Sequence, residues 1–475
     1  MKLRVILLIV ASLFNLIFWF GEYHVINDIA MIFPLISIVL SVLYILPKKI
    51  KGQFEIKIFY ILIAGILFYN SPLYFKALFN SKEALNVLLY YRIKQSFFVK
   101  ANLLLGVSLP LITAGYLIEV EKAKTIQNQF KNNLYKLRTE NLGIYSIFAL
   151  IFLVLSISKT GLTIGSTYIG SSSGYYMPLI RMIYLIGTII FFNRMLLNKF
   201  KIKFKNLQKD EVFAFVIILM FIIYVLIGGD RGPAFNTMLI LVFGLLLMQR
   251  MTIKKRYIII GLIGIVIFYN LFKFIEILRL VEDDDLNKEV VQSVFYSFKD
   301  YKDSNNVSGT NIRTTSVAIE GIENNLYPHT YGLFFLQAVV RGIPYIGNKI
   351  VELFVSENSI FYAGSARLIT IQISGFDYTS GLGTSYLADT YIEFGLIGVV
   401  LISFLFGILT GMFENKIKTL SFKSFSDFLI VVIFVSTSFY VGRGILGGFV
   451  VNFIHTWFYY IIIKILIKPF KINYH

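Results

Sequence analysis

Residues 212–248 read VFAFVIILMFIIYVLI, then GGDRGP, then AFNTMLILVFGLLLM. Two apolar runs of about the length that crosses a bilayer therefore flank a short turn. Charge next to hydrocarbon is costly and usually functional, which makes Asp230 and Arg231 candidates for chemistry. Pro233 suits the first turn of a helix, where its missing N–H costs nothing. The stretch predicts two membrane helices joined by a functional turn, with the second helix starting at Pro233.

The turn has the composition of a phosphate site. Gly229 and Gly232 allow a ligand to approach the backbone closely. The free N–H groups of a helix N-terminus and the guanidinium fork of Arg231 both favour phosphate oxygens. Asp230 is placed to orient Arg231. We predict that Arg231 binds a diphosphate; capping of the loop, or snorkelling to lipid headgroups, is the alternative.

Composition predicts the class of the whole chain. Its 475 residues are 57% hydrophobic and only 15% charged, with a mean hydropathy of +0.73. A soluble core could not bury so much apolar surface, so we predict an all-α polytopic membrane protein. The net charge of +18 comes from short basic runs beside apolar segments, which argues against nucleic acid as a partner. The absence of cysteine excludes disulfides and thiolate metal sites.

About twelve segments approach the length of a bilayer crossing. They lie near 3–20, 29–46, 56–70, 101–118, 141–158, 177–197, 212–228, 233–249, 257–274, 388–413, 427–442 and 445–467. The first has no small-residue cleavage site after it, so we predict a retained span and no signal peptide.

The lysines and arginines of the short loops predict the orientation. Alternate loops are basic, near 48–51, 122–138, 199–209, 250–256 and 416–423. They predict a plasma-membrane protein with both termini in the cytoplasm and the turn at Arg231 facing outward. The segment 71–100 disagrees, since it should be external but carries five basic residues. An interfacial helix explains this, and an extra crossing is the alternative.

The segment 275–385 is predicted to be one long external loop. It holds eight basic and 13 acidic side chains, a net charge of −5. Runs such as 290–298 and 333–340 predict short helices within it, and a loop of this length is usually functional. The predicted domains are a membrane domain at 1–274, the loop at 275–385 and a second membrane domain at 386–475.

A second turn, at Gly442, Arg443 and Gly444, separates the last two predicted spans. Arg443 is then expected at the outer N-terminus of an inward-running helix, as Arg231 is. Two arginines at two positive helix ends on one membrane face would form a diphosphate cradle. For Arg443 too, capping or snorkelling is the alternative.

These motifs resemble one family. GGDRGPA at 228–234, the long external loop, and GLGTSYLADTYIEFGLIGVVL at 381–401 followed by GRG at 442–444 resemble the Wzy-type polymerases of O-antigen and capsular polysaccharide. The resemblance implies a glycosyltransferase of the GT-C membrane architecture. Its donor and acceptor would both be undecaprenyl-diphosphate-linked oligosaccharides, joined outside the membrane. It also implies a flippase and a chain-length regulator as partners, and no cofactor.

External arginines recur as functional residues in that family, so Arg313 or Arg341 of the loop is expected to support Arg231 at the diphosphate. Arg181 lies near the outer end of the sixth span and must face the bundle or snorkel. Arginines can supply the positive charge that the leaving group needs, which predicts transfer without a metal. The acidic run at 283–285 has an Asp-x-Asp spacing, but it favours a solvated helix start.

Three residues are candidates for acid–base chemistry. His329 is the histidine of the loop and a candidate general base, with a plain loop hydrogen bond as the alternative. Asp389 and Glu393 are spaced i, i+4 on one helical face and could act as base or sugar ligand, or as partners for an arginine. Asn452 and His455 share a face of the last span, which favours an interhelical polar contact.

Two other functions stay open at this level. A flippase for lipid-linked sugars would also use about twelve spans, although it needs no long external loop and more often shows inverted repeats. A ligase of the same fold would attach a finished glycan to another acceptor. The sequence does not separate polymerase from ligase.

Overall fold

The structure is a computed structural model, which describes residues 2–23, 25, 29–46, 49–50, 53–126, 137–160, 174–200, 206–228, 231–249, 251–257, 259, 264, 311–362, 364–376, 383–444 and 449–467. Its helices are α1 Lys2–Trp19, α2 Ile32–Leu43, α3 Ile58–Asn70, α4 Pro72–Phe79, α5 Ser81–Tyr90, α6 Gln95–Ile126, α7 Leu142–Thr160, α8 Tyr176–Leu196, α9 Lys209–Ile227, α10 Arg231–Met248, α11 Asn311–Glu323, α12 Leu333–Arg341, α13 Gly347–Glu352, α14 Ser365–Ser374, α15 Tyr386–Thr419, α16 Phe425–Ser438 and α17 Val451–Ile467. Short 3₁₀ helices cover Ile29–Met31 and Phe439–Arg443, and the strands are β1 Lys49–Ile50, β2 Gln53–Glu55 and β3 Thr252–Ile253.

The helices confirm a polytopic membrane protein. Among the described residues, seven helices are long and apolar enough to cross a membrane, or eight if the bent pair α3–α4 is one span. Three shorter apolar helices cover Ile29–Leu43, Gly232–Met248 and Val451–Leu466. The predicted span at 257–274 lies largely outside the described residues, so the count of twelve stays a prediction.

Helix α6 is the centre of the bundle and packs along α15, α1 and α2. Glycines make the α6–α15 contact close. A Cβ at Gly407 would lie 2.0 Å from the carbonyl oxygen of Ile112, and one at Gly115 would lie 2.3 Å from that of Phe404. Small residues that let two backbones approach are the usual basis of helix association in lipid. Helix α15, which carries both predicted catalytic carboxylates, Asp389 and Glu393, is thereby fixed to the central helix.

Three of the five loops that were predicted to share the cytoplasmic side meet at one end of the bundle. Strands β1 and β2 pair with each other, and β2 pairs with β3 from a distant loop. Lys418 Nζ lies 2.9 Å from Glu55 Oε1, which joins a third loop to this sheet. The sheet itself was not predicted, because its strands are too short to give an alternating pattern.

The loop helices lie at the opposite end of α6. Lys100, near the start of α6, forms an ion pair of 2.6 Å with Glu323 of α11. Tyr116 donates a hydrogen bond of 2.9 Å to Glu414, near the sheet. These contacts are 16 residues apart on α6, or about 24 Å at the rise of a helix. The described part of the predicted external loop and the small sheet therefore occupy opposite ends.

The segment 71–100 contains two short helices, α4 and α5, before α6 begins at Gln95. They have 8 and 10 residues, and α4 is bent by 54° from α3. Neither is long enough to cross a bilayer, which favours the interfacial explanation of its charges. The short helix predicted at 333–340 is confirmed by α12, whereas the one at 290–298 lies outside the described residues.

The orientation can be tested directly, because the chain has no cysteine. Asn358 follows α13 and Ser421 follows α15, at the two ends of the bundle. We expect Asn358→Cys to react with an impermeant thiol reagent in intact cells whose outer barrier is permeabilised, and Ser421→Cys to react only after lysis. The opposite labelling pattern would reverse the predicted topology.

Candidate functional site

Asp389 lies in the first turn of α15 and is buried. Ser385 is the N-cap of this helix, and its hydroxyl accepts a hydrogen bond of 3.0 Å from the N–H of Ala388. The Asp389 oxygen Oδ1 accepts hydrogen bonds from the hydroxyl groups of Ser365 and Thr384. Two residues of the loop thus hold this carboxylate of the membrane domain in one orientation.

Arg443 lies beside Asp389. A Cβ added at Gly383 would be 3.6 Å from Arg443 Nε, and one at Gly444 would be 3.4 Å from Asp389 Oδ2. Arg443 itself is exposed. An exposed cation therefore lies near a fixed carboxylate.

The helix position predicted for Arg443 is wrong. It is the last residue of the 3₁₀ helix Phe439–Arg443 that extends α16, and residues 445–448, between it and the last helix, lie outside the described residues. The chain stays helical to this point because Gly442 packs directly on α3, where its Cβ would lie 2.6 Å from the Gly65 carbonyl oxygen. The arginine thus faces the negative end of a helix, which a cation stabilises.

The start of α10 lies next to this 3₁₀ helix. The Phe235 ring is 5.2 Å from that of Phe439 and 5.5 Å from that of Tyr440, measured between centroids. Helix α10 begins at Arg231, two residues before the predicted start, and Pro233 lies in its first turn as predicted. The two predicted turns therefore share one end of the bundle.

The structure leaves most of the first turn as a prediction. Gly229 and Asp230 lie outside the described residues, and for Arg231 it describes only the backbone. Gly232 lies in the first turn of α10. The diphosphate site at Arg231 is neither supported nor opposed by a side-chain contact.

A kink in α15 connects the membrane domain to the loop. Gly395 has φ 62° and interrupts the helix. The carbonyl oxygens of Ile392 and Glu393 are left without helical partners and accept hydrogen bonds of 3.0 Å from the N–H groups of Thr330 and Tyr331. The loop segment before α12 is thereby joined to the kink through the backbone.

His329 takes part in the same junction. Its Nδ1 lies 3.2 Å from the Ile392 carbonyl oxygen, which can only accept. The proton is therefore assigned to Nδ1, and Nε2 of the neutral ring keeps a lone pair. A Cβ at Gly395 would lie 3.3 Å from this Nε2. The hydrogen bond that was the predicted alternative to catalysis is therefore present. It leaves Nε2 able to accept a proton.

Glu393 is buried and its carboxylate caps α12. Its Oε1 accepts from the N–H of Phe335 at 2.9 Å, and its Oε2 accepts from the N–H of Gly332 at 2.6 Å and the Thr330 hydroxyl at 2.8 Å. These are orphan donors of a helix start, which favours negative charge. The contacts support a positioning role, and the predicted role as base or sugar ligand gains no support from them.

We expect Glu393→Gln to loosen α12, since one oxygen cannot accept from all three donors. Hydrogen bonds to a charged acceptor contribute roughly 1.5–3 kcal/mol each. Hydrogen exchange at the amides of Gly332 and Phe335 should become faster, as measured by mass spectrometry. Glu357→Gln, at an exposed position of the same loop, should leave their exchange unchanged. Equal protection in wild type and Glu393→Gln would refute the capping role.

Arg313 of α11 is turned away from Asp389. Its neighbours Asn311 and Thr315 hydrogen-bond the residues that start α15. Arg313 lies two residues from each, and so on another face of the helix. It is 3% exposed, and its Cζ lies 3.6 Å from the Tyr91 ring centroid. Burial lowers the pKa of the Arg313 guanidinium, and Tyr91 opposes that shift.

Arg181 faces the bundle, one of the two orientations predicted for it, and contacts the last helix. Its Nη1 donates a hydrogen bond to Asn452 Oδ1, and its Nη2 lies 3.5 Å from His455 Nδ1. The predicted interhelical contact of Asn452 and His455 is thereby confirmed, with Arg181 as the partner.

Arg341 ends α12 and lies near the same helix. Its Cζ is 4.7 Å from the Tyr362 ring centroid, and Arg367 lies 5.4 Å from that ring. A Cβ at Gly342 would lie 2.8 Å from Ile454 Cδ1. Burial lowers the pKa of the Arg341 guanidinium. The contacts therefore associate Arg341 with the α17 group rather than with Arg443.

The described residues contain no group of three or more His, Asp or Glu side chains that could hold a metal ion. The acidic run at 283–285 lies outside them.

Comparison with known families supports one of the functions left open above. The sequence matches the family described as O-antigen polysaccharide polymerase Wzy over residues 3–473. The chain belongs to the Wzy family. No curated protein and no solved structure matches it. Membership supports the role of a glycosyltransferase-type polymerase that acts on lipid-linked oligosaccharide repeat units in the membrane.

Sequence reasoning missed several residues of this candidate site in the Wzy protein. Ser385 had a recognisable signal, because serine before an apolar run is a typical N-cap. Ser365 and Thr384, which fix Asp389, had none, since a hydroxyl in a loop does not reveal its partner. The same holds for Tyr91 beneath Arg313.

Proposed function

We propose that this Wzy protein polymerises undecaprenyl-diphosphate-linked repeat units on the outer face of the plasma membrane. The growing chain would pass from its lipid diphosphate to the non-reducing end of the next lipid-linked unit. The observation that carries the proposal is the placement of an exposed arginine, Arg443, close to a fixed carboxylate, Asp389, at the end of the bundle where α10 begins.

The reaction breaks the bond between the anomeric carbon of the donor and its diphosphate oxygen. A bond from the acceptor hydroxyl oxygen to that carbon replaces it, and undecaprenyl diphosphate leaves. Negative charge accumulates on the diphosphate in the transition state. Arg443, Arg231 and the N–H groups at the start of α10 can stabilise that charge.

The hydroxyl proton needs an acceptor, and we assign it to His329 Nε2. The bond from Nδ1 to the backbone fixes the tautomer that this role requires. Asp389 would orient Arg443. Glu393 would position α12 without touching the substrate.

The proposed architecture has twelve spans in a GT-C-like arrangement. Residues 275–385 form the extracytoplasmic loop between membrane domains at 1–274 and 386–475, and both termini are cytoplasmic. The grouping of the loops at two ends of α6 supports this alternation. A flippase that supplies the repeat units and a chain-length regulator are the proposed partners.

The test uses purified protein in detergent with lipid-linked repeat units extracted from a host that lacks the gene. A polymerase should produce a ladder of products and release one undecaprenyl diphosphate for each new linkage. A flippase cannot act, because micelles have no second compartment. A ligase would release lipid without extending the chain. Absence of a ladder from well-folded protein would overturn the proposal.

We expect this activity to survive removal of divalent metal, because the arginines supply the positive charge. The ladder should be unchanged in EDTA, compared with a parallel reaction in magnesium. Loss of the ladder, with recovery on adding magnesium or manganese, would show a metal requirement and direct attention to the acidic run at 283–285.

A further inference from the structure

A second group of arginines lies between α8, α12 and α17. Arg181 is 4% exposed, and its Nε has no hydrogen-bond partner. Arg341 is half-buried, and its Nε and Nη2 also have none. Buried donors without partners are rare, because each costs the free energy of its lost hydration. Both side chains therefore have spare donor capacity in a protected place.

The two arginines lie at neighbouring residues of α17. His455 Nδ1 lies 3.5 Å from Nη2 of the Arg181 guanidinium. Gly342, which follows α12, packs on Ile454. Helix α17 thus contacts both the Arg181 guanidinium and the chain segment that carries Arg341.

No carboxylate in the described part of the chain forms an ion pair with either arginine. Glu352 is the carboxylate that acts on the pKa of Arg341. It accepts a hydrogen bond of 3.2 Å from the Tyr362 hydroxyl. The rings of Tyr184 and Tyr362 lie against the two guanidinium groups at 5.6 and 4.7 Å. A site with two positive charges, aromatic walls and open donors is suited to an anion with several oxygens.

We propose that Arg181 and Arg341 bind the diphosphate of the acceptor, the second lipid-linked substrate. This rests on the proposed function, in which two lipid diphosphates are bound at once. The acceptor keeps its diphosphate during the reaction, so its site needs charge and no proton-transferring group. The Arg443 site, next to Asp389, has the groups that the donor needs.

The spacing of the two sites agrees with this division. The N–H of Phe335 is fixed to Glu393 at the kink where His329 lies. Arg341 is six residues further along α12, or about 9 Å at the rise of a helix. An acceptor held at Arg341 could therefore extend its sugars back toward His329 while its lipid stays beside α17.

Native mass spectrometry of the full protein in nanodiscs, with undecaprenyl diphosphate as the probe, tests the proposal. Wild type should bind two lipids at saturation, and Arg341→Gln and Arg443→Ala should each bind one. Arg341→Lys keeps the charge but loses the fork, and should fill its second site only at higher lipid concentration. Lys349→Gln, an exposed cation of the same loop, should still bind two.

The outcomes separate this inference from the proposed function. If wild type binds one lipid and only Arg443→Ala loses it, the second site is wrong and the donor site stands. If Arg341→Gln and Arg341→Lys both bind two lipids as wild type does, the second site is also wrong. If wild type binds none, both proposals fail. Thermal unfolding of each variant checks that lost binding is not lost folding.

The polymer ladder provides a second readout. The acceptor diphosphate contributes equally to the ground state and the transition state, so Arg341→Gln should raise KM for the repeat unit and leave kcat nearly unchanged. One or two charge-assisted hydrogen bonds predict a rise on the order of tenfold to hundredfold. A fall in kcat at unchanged KM would place Arg341 at the reaction centre instead.

Discussion

Arg443→Lys should lower polymer formation on the order of 10²-fold to 10³-fold, the loss typical of one donor that stabilises developing charge. Lysine keeps the charge but replaces a planar fork by a point charge. Because the interaction strengthens as the diphosphate leaves, kcat should fall more than KM rises. The measurement is ladder formation by purified protein at several concentrations of lipid-linked repeat unit.

Two variants control this experiment. Arg256→Lys makes the same change at an exposed arginine near the small sheet and should have wild-type activity. Asp389→Asn tests the neighbour: if Asp389 orients Arg443, the double variant should be little worse than either single one. A normal ladder from Arg443→Lys, or fully additive losses in the double variant, would remove Arg443 from the proposed site.

The sequence predicted the helices well because their apolar runs are long and their loops carry charge. It also identified Asp389, Arg181 and Arg443 as unusual, since each places a charge close to an apolar run. Both signals are local and depend on the cost of charge in lipid. Physical reasoning from a single chain is strongest where that cost is high.

The partners of these residues could not be predicted, because they come from distant parts of the chain. Arg443 was assigned to a helix start since glycines flank it, yet the close contact of Gly442 with Gly65 keeps the chain helical up to Arg443. Glu393 and Asp389 share a helix face, but their partners differ. Glu393 caps α12, whereas Asp389 accepts a hydrogen bond from the Ser365 hydroxyl. The spacing of residues along a helix predicts which face they share, but it does not predict which residues pack against that face.

The kink at Gly395 shows the same limit. Glycine in an apolar run is compatible with an uninterrupted membrane helix, and the sequence predicted one span at 388–413. The kink becomes necessary only with the loop in place, because Thr330 and Tyr331 take over the carbonyl groups that it frees. The local pattern of α15 has no signal for a partner about sixty residues earlier.

Arg231→Ala should reduce polymer formation at least as strongly as Arg443→Lys, because it removes both the charge and the fork at the start of α10. Two observations support placing the donor diphosphate there. Helix α10 begins at Arg231, so the free N–H groups of its first turn lie beside this residue. Phe235, one turn later, packs on the 3₁₀ helix that ends at Arg443. One diphosphate could then contact both arginines.

The fork and the charge can be separated at this position. Arg231→Lys should lose turnover on the order of 10²-fold to 10³-fold with a smaller change in lipid affinity, whereas Arg231→Ala should lose both. Asp230→Asn should be milder, because Asp230 acts only by orienting Arg231. The assay is polymer length on gels in a strain that lacks the native protein, with membrane levels matched by immunoblot. Normal polymer from well-expressed Arg231→Ala would exclude the α10 start as the donor site and leave Arg443 to bind the diphosphate with other groups.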